Sequence, residues 1–222
     1  MAMGDIDLST EIKHYYRERA EIIIENLKKK YMHGSYADTK EEALQQIFDL
    51  IPAGVKVGRG DSVTLNQLGV FEALTERGLN EFTNPVRTDA KTGYNPPREE
   101  RRAMQRQVLL SDVYLTSTNA ITMEGTIVST DGSGNRVAAM CFGPKKVIIV
   151  TGCNKICHDV EDALRRIRDW AGPINALRHR LKHAKDEGLG WGVLRYTAII
   201  DGNQPVEEGK IHVILVGENL GL

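Results

Sequence analysis

The chain has 222 residues, with 29 basic against 30 acidic side chains and a formal net charge of −1. That length suits one α/β domain around one continuous core, and the balanced charge leaves no global basic field to hold nucleic acid or an anionic membrane. The opening MAMGDIDLSTEIKHYY lacks a basic-then-apolar signal pattern, and no window approaches the roughly 18 unbroken apolar residues of a membrane span, so a cytoplasmic protein is expected. Three cysteines, Cys141, Cys153 and Cys157, are odd in number and too few for a disulfide framework, and are read as reduced thiols.

After a flexible stretch over residues 1–9, the pattern predicts a helix from Ser9 to about Tyr31, capped by Ser9 or Thr10, with Ile12, Tyr16, Ile23 and Leu27 on one face and a lysine run at its end. A second helix begins at Asp38 or Thr39, where acids fill the first turn and Ala43, Leu44, Ile47 and Phe48 recur at helical spacing. VKVGRGDSVTLNQLGVFEALTERG then reads as a short buried strand, a glycine-rich turn and a helix, the start of an α/β unit. LNEFTNPV offers a further strand, followed by the long loop RTDAKTGYNPPR and a helix over EERRAMQRQVLLS. The runs DVYLTS, KKVIIVTG and KIHVILVG are short and apolar, as strands covered on both faces should be. Between them NAITMEGTIVSTDGSGNRVAAMCFG alternates and turns twice, which suits antiparallel hairpins added to a parallel core.

Four stretches could carry chemistry. In GRGDS, the glycines Gly58 and Gly60 let backbone N–H groups approach an anion, with Asp61 and Ser62 opening the next helix; a tight capped turn explains the same residues. The loop RTDAKTGYNPPR supplies Arg87, Lys91 and Arg98 to grip an anion, Tyr94 to stack, and Asp89 and Asn95 to orient hydroxyls; a solvated loop is the rival reading. The third stretch follows the strand DVYLTS, at the sheet edge where open α/β folds bind ligands. There Glu124 lies among Asn119, Thr122 and Thr126, and Asp131, Gly132, Gly134, Asn135 and Arg136 form a hydrophilic knot; either set is also explained as a hairpin turn. The fourth, GCNKICH, places Asn154 and Lys155 at a strand end, between Cys153 and Cys157. A closed zinc site needs four ligands and no second cysteine pair exists, so no metal is expected, and a helix terminus could acidify Cys157.

Taken together, VGRGDSVTLNQLG, RTDAKTGYNP, the block LLSDVYLTSTNAITMEGTIVSTDGSGNRVAAMCFGPKKVIIVTGCNKI and the closing KIHVILVGENLGL strongly resemble the lactate-utilisation (LUD) domain family, from about residue 10 to the C-terminus. The resemblance implies a single Rossmann-like domain over residues 1–222, similar to ribose-5-phosphate isomerase and CoA transferases: a mostly parallel sheet with antiparallel hairpin additions. In that wider superfamily the loop after the first strand binds phosphate or CoA groups and acids near the sheet edge do chemistry, which singles out GRGDS and Glu124. The family is associated with bacterial oxidation of L-lactate to pyruvate beside iron–sulfur partner subunits. Many relatives carry a cysteine-rich segment where this chain has AGPINALRHRLKHAKDEGLGWGVLRYTAII, without a cysteine, which argues against a cysteine-bound cluster here.

The leading expectation is therefore a LUD-domain protein of lactate-type organic-acid metabolism that binds a small anionic or phosphate-bearing ligand at the C-terminal edge of the sheet, its cofactor unassigned. Two alternatives stand beside it: an isomerase or acyl/CoA-transferase-like enzyme using Glu124 as base or nucleophile, and a non-catalytic subunit assembling with iron–sulfur redox partners or with its own copies.

Overall fold

The computed structural model describes residues 7–85, 96–182 and 194–222. Its frame is a six-stranded parallel sheet built from β1 (His33–Ala37), β2 (Lys56–Arg59), β3 (Glu81–Thr83), β4 (Val113–Thr116), β7 (Lys146–Gly152) and β10 (Ile211–Val216), in the order β1-β10-β7-β4-β2-β3. A second, four-stranded sheet contains β5 (Ala120–Thr122), β6 (Ile127–Asp131), β8 (Ile156–Cys157) and β9 (Tyr196–Ile200), in the order β8-β5-β6-β9, with antiparallel β5–β6 and β6–β9 pairs. The expected α/β class with a mostly parallel sheet and antiparallel additions is what the chain forms, consistent with one Rossmann-like domain.

Period-two alternation in the apolar strands divides the core. Ile148 and Val150 of β7 and Ile214 and Val216 of β10 face one side, where they meet Ala43 and Ile47 of α2 (Lys40–Asp49), Leu65 of α3 (Val63–Gln67) and Phe71 and Leu74 of α4 (Val70–Arg77). Val147, Ile149, Val213 and Leu215 face the other side, against Ala20, Ile23 and Leu27 of α1 (Ser9–Lys29), Met140 of α6 (Asn135–Cys141), and Ile121 and Ile127 of the small sheet. Because these strands are buried on both faces they carry no polar alternation, which is what makes them legible as continuous apolar runs. A third cluster, Ala120, Val128, Cys157, Ala163 and Ile167, packs the small sheet against α7 (Val160–Arg166). The remaining helices are α5 (Arg98–Gln107) and α8 (Gly172–Lys182), the latter entered through a π turn at Ile167–Ala171.

Several local expectations need correction. Ser9 lies inside α1 and Leu8 occupies the cap position without a side-chain bond, while Ile12 is 48% exposed and the buried face of the helix is Ala20, Ile23 and Leu27. The helix predicted after GRGDS is two helices, separated by Gly69 at φ +68, a left-handed conformation that suits glycine. VAAMCFG is not a hairpin strand. The Asp131 carboxylate accepts N–H bonds from Ser133 at 2.8 Å, Arg136 at 3.1 Å and Val137 at 3.0 Å, and a further one from Gly134; capped in this way, the segment after β6 winds into α6. The antiparallel partner of β6 is instead β9, far along the chain.

Candidate functional site

β2 and β4 are neighbours, and the connection leaving β2 runs one way across the sheet to β3 while the connection leaving β4 runs the other way to β7, so the two form a switch point. In open α/β sheets such a switch point leaves a crevice beyond the C-terminal strand ends, and a cavity of about 500 Å³ lies there. Its floor comes from the segments that leave the parallel strands: Asp61, Ser62 and Thr64 after β2, Ser117, Thr118 and Asn119 after β4, Lys155 after β7, and Gly221 and Leu222 after β10. Its walls are Thr130 to Ser133 with Asn135 and Arg136 on one side, Arg98, Arg101 and Arg102 of α5 on another, and Asn175, Arg178 and Arg195 on a third.

Among the described residues, seven basic side chains line this space (Arg98, Arg101, Arg102, Arg136, Lys155, Arg178 and Arg195) against the two carboxylates of Asp61 and Asp131. Both carboxylates are engaged: Asp61 pairs with Arg178 at 3.3 Å, and Asp131 is taken up by the N–H groups at the start of α6. Arg136 is tied inward. Its Nη2 donates to Asn119 Oδ1 at 2.8 Å and to the Thr130 carbonyl at 2.5 Å, and its Nη1 to the Ser117 carbonyl at 3.4 Å; burial lowers its pKa. Arg136 thus joins the ends of β4 and β6 while presenting positive charge to the cavity.

Lys155 is the most unusual member of the site. Only 3% exposed, it sets its amine 2.9 Å from Thr64 Oγ1, 3.2 Å from Ser117 Oγ and 3.3 Å from the Thr118 carbonyl. No carboxylate pairs with it among the described residues, and its charged neighbours are Arg166 and Arg136. Burial first, and those two guanidinium groups next, bring its pKa down to about 7. The segment following β10 closes over it, held by hydrogen bonds from the Leu220 N–H to Asn154 Oδ1 at 3.0 Å, from the Gly221 N–H to Gln67 Oε1 at 2.7 Å, and from Arg166 Nη1 to the Leu222 carbonyl at 3.1 Å. A Cβ on Gly221 would stand 2.6 Å from the amine and would also strike Thr64 Oγ1, so a side chain at this position would crowd Lys155.

Of the residues singled out in the sequence, the cavity gathers Asp61, Ser62, Arg98, Asn119, Asp131, Gly132, Asn135, Arg136 and Lys155. The others separate. Gly58 and Gly60 serve close packing, a Cβ on the first falling 2.7 Å from Val108 Cγ1 and on the second 2.5 Å from the Tyr114 hydroxyl. Gly134 starts α6 at φ +82, and Asn154 binds the Leu220 N–H rather than facing the cavity. Thr122 Oγ1 accepts the Thr126 N–H at 3.1 Å and so shapes the β5–β6 turn. Glu124 lies exposed in that same turn. The hairpin runs from Asn119 at the cavity out to this turn and back to Asp131, so Glu124 stands a strand's length away, about 15 Å at 3.3 Å per residue. Glu124 is therefore not among the residues that line this cavity. Asp89, Tyr94 and Asn95, with Arg87 and Lys91, lie outside the described residues.

The expected acidification of Cys157 is corrected, and Cys153 behaves alike. Neither is acidified: burial pushes the Cys153 thiol up to about 12 and the Cys157 thiol to about 11. Among the described residues no group of three or more His, Cys, Asp or Glu side chains is placed to hold a metal ion, and no helix is long and apolar enough to cross a membrane.

The sequence reading missed Thr64, Ser117 and Thr118, which clasp the Lys155 amine, and Arg101, Arg102, Arg178 and Arg195, which ring the opening beside the expected Arg98. The available signal for α5 was its arginine repeat at 98, 101 and 102, which helical spacing gathers on one side.

The family model described as LUD domain matches residues 20–216. Among solved structures, a DUF162 family protein from Deinococcus radiodurans is similar, with 15% sequence identity and a TM-score of 0.48, over 94% of this chain and 98% of that one. No curated protein matches the chain.

Proposed function

From the premise that the chain belongs to the LUD domain family, which supports a lactate-utilisation-related role in general terms, we propose that it binds a small anionic, phosphate-bearing ligand in the cavity at the C-terminal edge of the six-stranded sheet, in the service of lactate-type organic-acid metabolism. One observation carries the reading: among the described residues, seven basic side chains converge there against two carboxylates that are already engaged. Planar guanidinium groups match carboxylate and phosphate oxygens in paired hydrogen bonds, and a ring of them in a partly enclosed space is costly unless an anion enters. A volume of about 500 Å³ is ample for a molecule larger than lactate itself, which favours a phosphorylated organic acid or a nucleotide-like group over a bare three-carbon acid.

Thermal-shift measurements with phosphate, pyrophosphate, lactate and CoA test this reading. An anion at a hundred times its dissociation constant should stabilise the fold by about 2.7 kcal/mol. The gain should vanish in the variant combining Arg98→Ala, Arg101→Ala and Arg102→Ala. Stabilisation that survives in that variant, or that no anion produces, rejects the cavity as an anion site.

A further inference from the structure

We propose that Lys155 is the nucleophile of this cavity, and that its amine condenses with the carbonyl carbon of an anionic aldehyde or ketone held by the surrounding arginines. The inference rests on the anion-binding reading and names the substrate class for the same site.

Three features of the structure support it. First, the amine is buried beside the cavity with two hydroxyls and a carbonyl around it and no counter-ion among the described residues. A lysine that serves only as an anchor is ordinarily paired with a carboxylate; a buried amine facing other cations is stabilised by giving up its proton. Its pKa of about 7 agrees with that placement. Second, Thr64 Oγ1 and Ser117 Oγ both touch the amine and lie 3.2 Å from each other, so they can accept and return protons at the nitrogen without a titrating acid. Third, the backbone of Gly221 lies so close against the amine that a Cβ there would stand 2.6 Å from the nitrogen, which covers that side and leaves approach from the cavity, whose floor Thr64, Ser117 and Thr118 line with Lys155.

In the condensation the nitrogen lone pair forms the new C–N bond, the carbonyl oxygen takes up the two amine protons through the hydroxyl pair, and it departs as water to leave a C=N bond. No electrons are gained or lost, and no co-reactant is consumed. Arginines on the walls hold the substrate's carboxylate or phosphate, so the carbonyl carbon is the part left to face the floor.

The test incubates the full chain with glyoxylate, and separately with glycolaldehyde phosphate, adds borohydride, and maps the adduct by peptide mass spectrometry. The expected result is one adduct per chain on Lys155, at pH 7 at least about tenfold above any other lysine, because ordinary lysines are almost wholly protonated there. Its yield should rise from pH 6 to pH 8 with a half-point near 7. Lys155→Arg should abolish the adduct and Gly221→Ala should reduce it; mapping of the wild-type chain gives the site even if a variant fails to fold. Absence of an adduct on Lys155, or equal labelling of surface lysines, overturns the proposal. Thermal stabilisation by pyrophosphate in the same samples separates the two readings: stabilisation without an adduct rejects the nucleophile and keeps the anion site, whereas an adduct without stabilisation keeps the nucleophile and rejects the anion site.

Discussion

The turn from Cys153 to Cys157 has a thiol side and an amine side, and burial affects them in opposite ways. Cys153 packs into the core between α1 and the large sheet, Cys157 packs under α7, and Lys155 between them enters the cavity. All three are withdrawn from water, and in each case desolvation disfavours the charged form. For a thiol the charged form is the nucleophile, so burial to about 12 and 11 makes both cysteines inert. For an amine the neutral form is the nucleophile, so the same withdrawal, to about 7, arms Lys155. A motif that reads in sequence as a pair of cysteines with a lysine between them is, in the fold, a reactive lysine between two silent thiols.

The largest expected effect lies on the thiol side. At pH 8 a thiol near 12 is about a thousandfold less ionised than an ordinary one, so iodoacetamide should label Cys153 roughly that much more slowly in the native protein than in urea. Native labelling of Cys153 at the unfolded rate would break the contrast.

On the amine side the effect appears in stability. The folded pKa of Lys155 lies below its unfolded value of about 10.4, so between about pH 7 and pH 10 the unfolded chain holds a proton that the native one lacks, and raising the pH favours folding. The stability of the wild type relative to Lys155→Met should therefore climb with pH across that window by up to about 1.4 kcal/mol per unit. Urea melts at pH 7, 8 and 9 measure the slope, and a flat difference would mean that the amine stays charged in the fold.

A partly buried cation with acceptors provides a third case. Arg136→Lys leaves a point charge where a fork served Asn119, Thr130 and Ser117, and should cost about 1–3 kcal/mol in a denaturant melt. A loss below about 0.5 kcal/mol would make Arg136 a ligand clamp alone. The exposed Glu124 supplies the reference at the far end of the small sheet. Glu124→Gln should change stability by less than about 0.5 kcal/mol and leave any pyrophosphate-induced shift intact.

The parts that could be read from the chain alone were those governed by local physics. VYLT, KVIIVTG and IHVILV declare themselves because both faces are buried, and Thr39 caps its helix by accepting the Glu42 N–H, as the TxxE pattern there suggests. HGSYA escaped notice as a strand since it is an edge strand whose polar residues meet side chains such as Gln46 and His212. The hairpin expected after β6 is a helix start instead, because one carboxylate collects N–H groups over the next six residues. Lys155 was visible as a polar residue at a strand end, but its environment was not, for Thr64 and Ser117 come from distant parts of the chain and only the parallel sheet brings them together.

The sheet order also bears on how the molecule is made. β10 stands between β1 and β7, so a strand near the end of the sequence fills an interior place beside one near the beginning. Pairings of such long sequence separation are slow to form, and until residues 211–216 arrive, β1 and β7 each present an open edge that invites pairing with other chains. The segment that follows β10 is the one that closes over Lys155. During synthesis, then, the last gap in the sheet and the cover over the amine are filled in one late step, and a chain stalled before residue 211 would be both prone to aggregate and unable to shield its reactive nitrogen.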